Sequence, residues 1–110
     1  LPAQYIAAAD WIKRHDPGTG KDEWTLSVVP TAAGRALPAE QVGSLYEQLF
    51  ARSGADSQWR DNETSVGSMR QQLACVLANY RNKTPWNLEP FRPALSDAET
   101  RAAGCNPVRR

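Results

Sequence analysis

Apolar residues recur at helical spacing in two stretches of the chain and alternate with polar ones in a third. Val42, Leu45, Tyr46, Leu49 and Phe50 fall at i, i+3, i+4, i+7 and i+8, the single apolar stripe of an amphipathic helix. This pattern predicts a helix from Pro38 to Arg52, with Pro38 in the first helical position and Gly54 as its stop. A second stripe, Val66, Met69, Leu73, Val76, Leu77 and Tyr80, predicts a helix from Ser65 to Arg81 with Thr64 or Ser65 as N-cap. Trp24, Leu26 and Val28 alternate with Thr25 and Ser27, a strand over Glu23 to Pro30 with Trp24 on its core face. Asp16-Pro17-Gly18-Thr19-Gly20 just upstream is dense turn chemistry. The segment Tyr5 to Arg14 reads two ways. Its alanines favour helix, whereas a turn leading into a strand suits the first arm of a hairpin. Residues 53–64 and 82–104 lack periodicity and are expected to be loops, with a helical turn at Asp97–Ala103.

Two cysteines, Cys75 and Cys105, allow one pairing. In the chain-entropy account, closing a loop of about 30 residues contributes roughly 3.5–4 kcal/mol. That is a large share of the ~5–15 kcal/mol that holds a whole domain. A disulfide implies a compartment outside the reducing cytosol; the competing reading is two buried thiols of a cytosolic protein. At about 100° per residue, Cys75 lies roughly 150° from the centre of the second helix's stripe. A bridge there would draw the C-terminal segment over the opposite face, where Ser68 and Ala78 are small. The second helix is then buried on two sides.

Composition narrows the class. A chain of 110 residues, 41% hydrophobic and 23% charged, suits one folded domain, residues 1–110, rather than disorder. The net charge of +1 argues against a dedicated nucleic-acid binder, and no apolar run reaches the ~20 residues of a membrane span. A start at Leu1 rather than Met reads as a mature or excised domain.

One set of residues is distinctive: Trp11 and Arg14, then Leu26-Ser27-Val28-Val29-Pro30-Thr31 and Arg35, then Gly67-Ser68-Met69, Gln72 and Cys75. The run Lys83-Thr84-Pro85-Trp86-Asn87-Leu88-Glu89-Pro90-Phe91-Arg92-Pro93 and the ending Cys105-Asn106-Pro107 complete it. The chain resembles, from Trp11 to Pro107, an uncharacterised domain family of secreted actinobacterial proteins with no assigned activity. The resemblance implies export and a hairpin-like start, hence a strand over Ala8–Arg14. Members often carry a histidine after the first cysteine, where this chain has Val76. The family supplies no catalytic residues.

Candidate chemistry concentrates in Trp86–Pro93, which Pro85, Pro90 and Pro93 stiffen. On a structural reading, Glu89 pairs with Arg92 and Asn87 bonds local backbone to hold a turn. On a functional reading, Trp86, Asn87, Glu89 and Arg92 present an aromatic ring and a bidentate cation to a ligand, joined by Arg35 and Trp59. Trp59 lies among Ser57, Gln58, Arg60, Asp61 and Asn62, the best setting for exposure among the four tryptophans. Enzyme signatures are thin. Asp10, Asp22, Glu23, Asp61, Glu63 and Glu89 offer carboxylates without distinguishing spacing, His15 sits in a charged loop, and Ser44 lies within a helix rather than on a nucleophile elbow. Two cysteines and one histidine without close spacing make no metal site, and no motif calls for a cofactor.

The expected architecture is α+β: a β-hairpin or short antiparallel sheet on two main helices, with the C-terminal segment tied back by Cys75–Cys105. The expected role is a non-catalytic extracytoplasmic binding module for a protein or an envelope polysaccharide. The alternatives are a small secreted hydrolase or toxin working through carboxylates, and a structural accessory domain of a larger exported protein. Ligand and oligomeric state are left open.

Overall fold

The Asp16–Gly20 turn folds the chain back on itself and pairs two long strands, β1 (Ile6–Asp16) and β2 (Lys21–Pro30), antiparallel with Trp11 opposite Leu26 and Asp16 opposite Lys21. Gly20 takes φ +71°, a conformation open to glycine at no steric cost. The Asp16 carboxylate accepts the Thr19 N–H at 2.9 Å. The computed structural model describes residues 3–63, 67–94 and 96–105. Within it the ambiguous N-terminal segment is strand: cross-strand pairing overrides the helix propensity of its alanines.

A third strand, β3 (Trp86–Leu88), pairs antiparallel with β2, Leu26 facing Leu88 and Val28 facing Trp86, giving the order β1-β2-β3. This corrects the expectation of loop at residues 86–88, whereas the helical turn expected at Asp97–Ala103 is present as a helix over Asp97–Ala102. A three-residue strand shows no periodicity of its own, and its pairing comes from β2. On the inner face Leu26, Val28, Trp86 and Leu88 are fully buried. Trp24 shares their side by alternation but is only half-buried, against the expectation of core packing. It lies two positions nearer the hairpin tip, where its cross-strand neighbour Lys13 places its ammonium 5.1 Å from the ring centroid.

The helices cover this face. Helix α1 (Ala32–Arg35) is a single turn capped by Thr31, whose hydroxyl accepts the Gly34 N–H at 3.0 Å. A Cβ at Gly34 would overlap the Tyr5 carbonyl oxygen. A 3-10 turn, Ala39–Gln41, precedes α2 (Val42–Ser53), and Pro38 stays extended as its cap instead of entering the α-helix. Leu45 and Leu49 of the expected stripe are fully buried, while Phe50 is 48% exposed. Gly54 caps α2 at φ −65°, so left-handed geometry is not its reason; a Cβ there would strike the Phe50 ring.

Helix α3 (Ser57–Arg60) is one turn in a stretch expected to be loop. Helix α4 (Ser68–Asn79) follows Gly67, at φ +86°. The expected cap residues Thr64 and Ser65, and Val66 of the stripe, lie outside the described residues. Met69, Leu73 and Leu77 line one side of α4 without exposure, and Ser68, Gln72 and Cys75 are buried on others. Cys75 bonds Cys105 with Cα atoms 5.5 Å apart, which ties α5 (Asp97–Ala102) back to α4. A capping box starts α5: the Ser96 hydroxyl accepts the Glu99 N–H at 3.1 Å, and the Glu99 carboxylate accepts the Ser96 N–H. The fold is α+β, as expected. Among the described residues no helix is long and apolar enough to cross a membrane.

Candidate functional site

The segment after β3 is interior structure. Arg92 Nε donates to Glu89 Oε1 at 2.8 Å, and Arg92 Nη2 reaches Asp16 Oδ1 at 3.2 Å. Glu89 Oε2 accepts from the Thr25 hydroxyl at 2.9 Å and lies 3.7 Å from Arg14 Nη2. Register explains the convergence: Thr25 faces Ile12 across the hairpin, and Glu89 follows Leu88, the partner of Leu26. Gln72 of α4 brackets the Glu89 backbone, accepting its N–H and donating to its carbonyl, both at 2.8 Å. The Ser68 hydroxyl donates to the Arg92 carbonyl. Two carboxylates and two guanidiniums thus lie together with their charges balanced, which is how a protein interior tolerates ions.

The expected pairing of Glu89 with Arg92 is present. Their presentation to solvent is not: Glu89 and Arg92 are 4% and 8% exposed, and Trp86 is fully buried. Trp59, expected to be the most exposed tryptophan, is 1% exposed. The short α3 turns its indole inward, edge-on to Phe50 and Tyr46 at centroid distances of 5.4 and 6.0 Å. Burial pushes the Tyr46 phenol pKa above its ordinary value, Glu63 adds to the rise, and Arg70 opposes it. Arg35 is a clamp rather than a free surface cation. Its guanidinium donates to the carbonyls of Arg81 and Lys83 and to the Thr84 hydroxyl, and lies 5.8 Å from the Trp86 ring centroid. Arg81 returns the contact, donating to the carbonyls of Arg35 and Leu37 at 2.9 Å. The pair fixes the loop leading into β3, where Thr84-Pro85 is cis.

Asn87 behaves differently from its neighbours. The expected bonds to local backbone do not hold its carbonyl: Oδ1 is buried with no hydrogen-bond partner. The residue lines a cleft of about 330 Å³ beside β3, together with Arg14, Tyr80, Lys83 and Trp86. Val76, Gly104 and Cys105 complete the wall, so the disulfide that ties back the C-terminal segment also shapes the cleft. Trp86 Nε1 is likewise buried without a partner. Among the described residues two cations line the cleft and no carboxylate does; both are exposed, and Arg14 also faces Glu89 at 3.7 Å.

Of the six residues singled out in the sequence, Trp86 and Asn87 line this cleft, Glu89 touches it through Arg14, and Arg92, Arg35 and Trp59 are elsewhere. Sequence reasoning missed Arg14, Tyr80 and Lys83. Tyr80 was assigned to the apolar stripe, but it falls just past the last turn of α4 and is 44% exposed. The signal that could have found it was the end of the stripe meeting Tyr80-Arg81-Asn82-Lys83. Among the described residues no cluster of three metal-ligating side chains occurs.

Comparison with known proteins places the chain among uncharacterised relatives. It is similar to Uncharacterized protein Mb0487 of Mycobacterium bovis and to Uncharacterized protein Rv0477 of Mycobacterium tuberculosis, 37% identical to each over 82 residues. The aligned stretch covers 66% of this chain and 55% of each relative, so the chain spans about half the length of the curated relatives it matches. No solved structure is a significant match. The family signature itself runs over residues 6–108, and the chain belongs to the DUF2599 family, proteins of unknown function.

Proposed function

We propose that this domain is a non-catalytic extracytoplasmic binding module, and that the cleft beside β3 is where it binds a protein or cell-envelope ligand. The observation that carries this reading is Asn87. A buried carbonyl oxygen without a partner costs about 1–3 kcal/mol, and here it belongs to a residue that lines the cleft beside Arg14 and Lys83. A ligand that donates to it recovers that cost. The disulfide supports placement in an oxidising compartment. The rival reading, a hydrolase working through carboxylates, has less to rest on. The closest buried acids, Glu89 and Asp16, share Arg92 and are hydrogen-bonded on both oxygens.

Amide-detected NMR titration of the labelled protein with a library of neutral, cationic and anionic fragments tests the proposal. Shifts should concentrate on the Asn87 side-chain amide, the Trp86 indole N–H and the backbone of residues 80–88. Fragments that shift only other surfaces, or none that bind at all, would remove the cleft as the site.

A further inference from the structure

We infer that the cleft receives the free carboxyl end of an extended peptide. This rests on the reading of the domain as a binding module and names the class of ligand. Four observations converge on it.

The first is charge. Arg14 and Lys83 line the cleft, and among the described residues no acid does. Among the described residues Lys83 pairs with no carboxylate, and Arg14 has only the 3.7 Å approach to Glu89. A carboxylate entering here meets two cations without displacing a formed hydrogen bond. The second is the edge. β3 is the outer strand of the sheet, and among the described residues nothing pairs with its outward side. Asn87, between the fully buried Trp86 and Leu88, is the residue of this edge that keeps accessible surface. A strand edge is a template for an added strand, with main-chain bonds giving affinity.

The third is the pair of unpartnered groups, an acceptor at Asn87 Oδ1 and a donor at Trp86 Nε1. A peptide unit offers the complementary N–H and C=O. The fourth is the wall. Val76 and the Cys105 half of the disulfide are apolar, and Gly104 adds no side chain. About 330 Å³ sits at the low end of ligand pockets, roughly 300–1,000 Å³. That admits a terminal residue or two with a small aliphatic side chain. A sugar acid would also satisfy the cations, and it is a comparison arm of the test below.

The test is titration of the intact protein with N-acetyl-Ala-Ala and N-acetyl-Ala-Val as free acids. The same peptides as C-terminal amides, glucuronate and inorganic phosphate are the comparison arms. The free acids should shift the Asn87 side-chain and Trp86 indole signals, and the amides should bind at least about tenfold more weakly. Arg14→Gln and Lys83→Gln should each weaken the free acids by about fivefold. Arg14→Lys, which keeps the charge, should weaken them less than Arg14→Gln does. Native near-UV circular dichroism in every variant separates lost binding from lost folding. Amides binding as tightly as acids, or glucuronate or phosphate binding as tightly as the peptides, would overturn the peptide assignment while leaving a binding module in place. Silence at the cleft from every probe and fragment would sink both.

Discussion

Arg92 holds two buried carboxylates at once, and its removal should show how much of the domain depends on that arrangement. Glu89 and Asp16 approach it at 2.8 and 3.2 Å, from opposite ends of the sequence. Arg92→Met leaves both acids buried beside no full cation, because Arg14 is half-exposed and 3.7 Å from Glu89. Breaking one side of a buried ion pair costs about 3–5 kcal/mol, and urea unfolding of Arg92→Met should show a loss of that order. Adding Glu89→Gln removes one stranded charge, so the double variant should be more stable than Arg92→Met alone. A double variant that loses the sum of the two single effects would mean that the residues do not act as a unit. Asn87 is the converse case at the same scale. It has a buried acceptor that the fold leaves unsatisfied, which is why a ligand is sought there rather than at Arg92.

The elements divide by how much of their information is local. The two main helices were legible because a stripe repeated every three to four residues has enough positions to be read over two or three turns. The hairpin was half legible. Its turn and second strand announced themselves, whereas the alanine-rich first strand is a strand only because β2 lies beside it. β3 and α3 were illegible for one physical reason: spans of three and four residues cover barely more than one period of a strand or a helix, too few repeats to identify them. The candidate site inherits that gap, since Asn87 was named for its segment while Arg14, Tyr80 and Lys83 meet it only through pairing and the disulfide.

Trp59 makes the point measurable. Its polar neighbours suggest a surface residue, yet its ring is 1% exposed between Tyr46 and Phe50. Trp59→Ala should therefore destabilise by about 3–5 kcal/mol. Trp24→Ala, on the strand that looked like core, should cost less, about 1–2 kcal/mol, because its ring is only partly buried and its cation–π contact is near the surface. Thermal or urea unfolding of the two variants decides between local sequence context and packing. The reverse order of losses would show that α3 is not packed as described.

At the scale of the whole molecule, the disulfide joins structure that the sheet alone does not hold. β1 and β2 share ten paired positions, nine of them in one register, and the sheet is buried against α2 and α4. By contrast, α5 is a six-residue helix whose only fully buried side chain is Thr100, followed at once by Cys105. A helix that short is not stable unaided, so its place depends on the bond to Cys75. Replacing both cysteines, Cys75→Ala with Cys105→Ala, should lower global stability by roughly 3.5 kcal/mol. Hydrogen exchange should resolve the loss spatially. The amides of α5 and residues 103–105 should exchange near the unfolded rate, while those of β2 and α4 keep protection set by the reduced global stability. The same variant bears on the cleft, because Gly104 and Cys105 form part of its wall. Peptide affinity should fall even in protein that remains folded, as the wall opens and the added strand loses one side of its seat. Unchanged protection of α5, or unchanged affinity, would mean that packing alone holds the C-terminal segment and that the bond is redundant to the site.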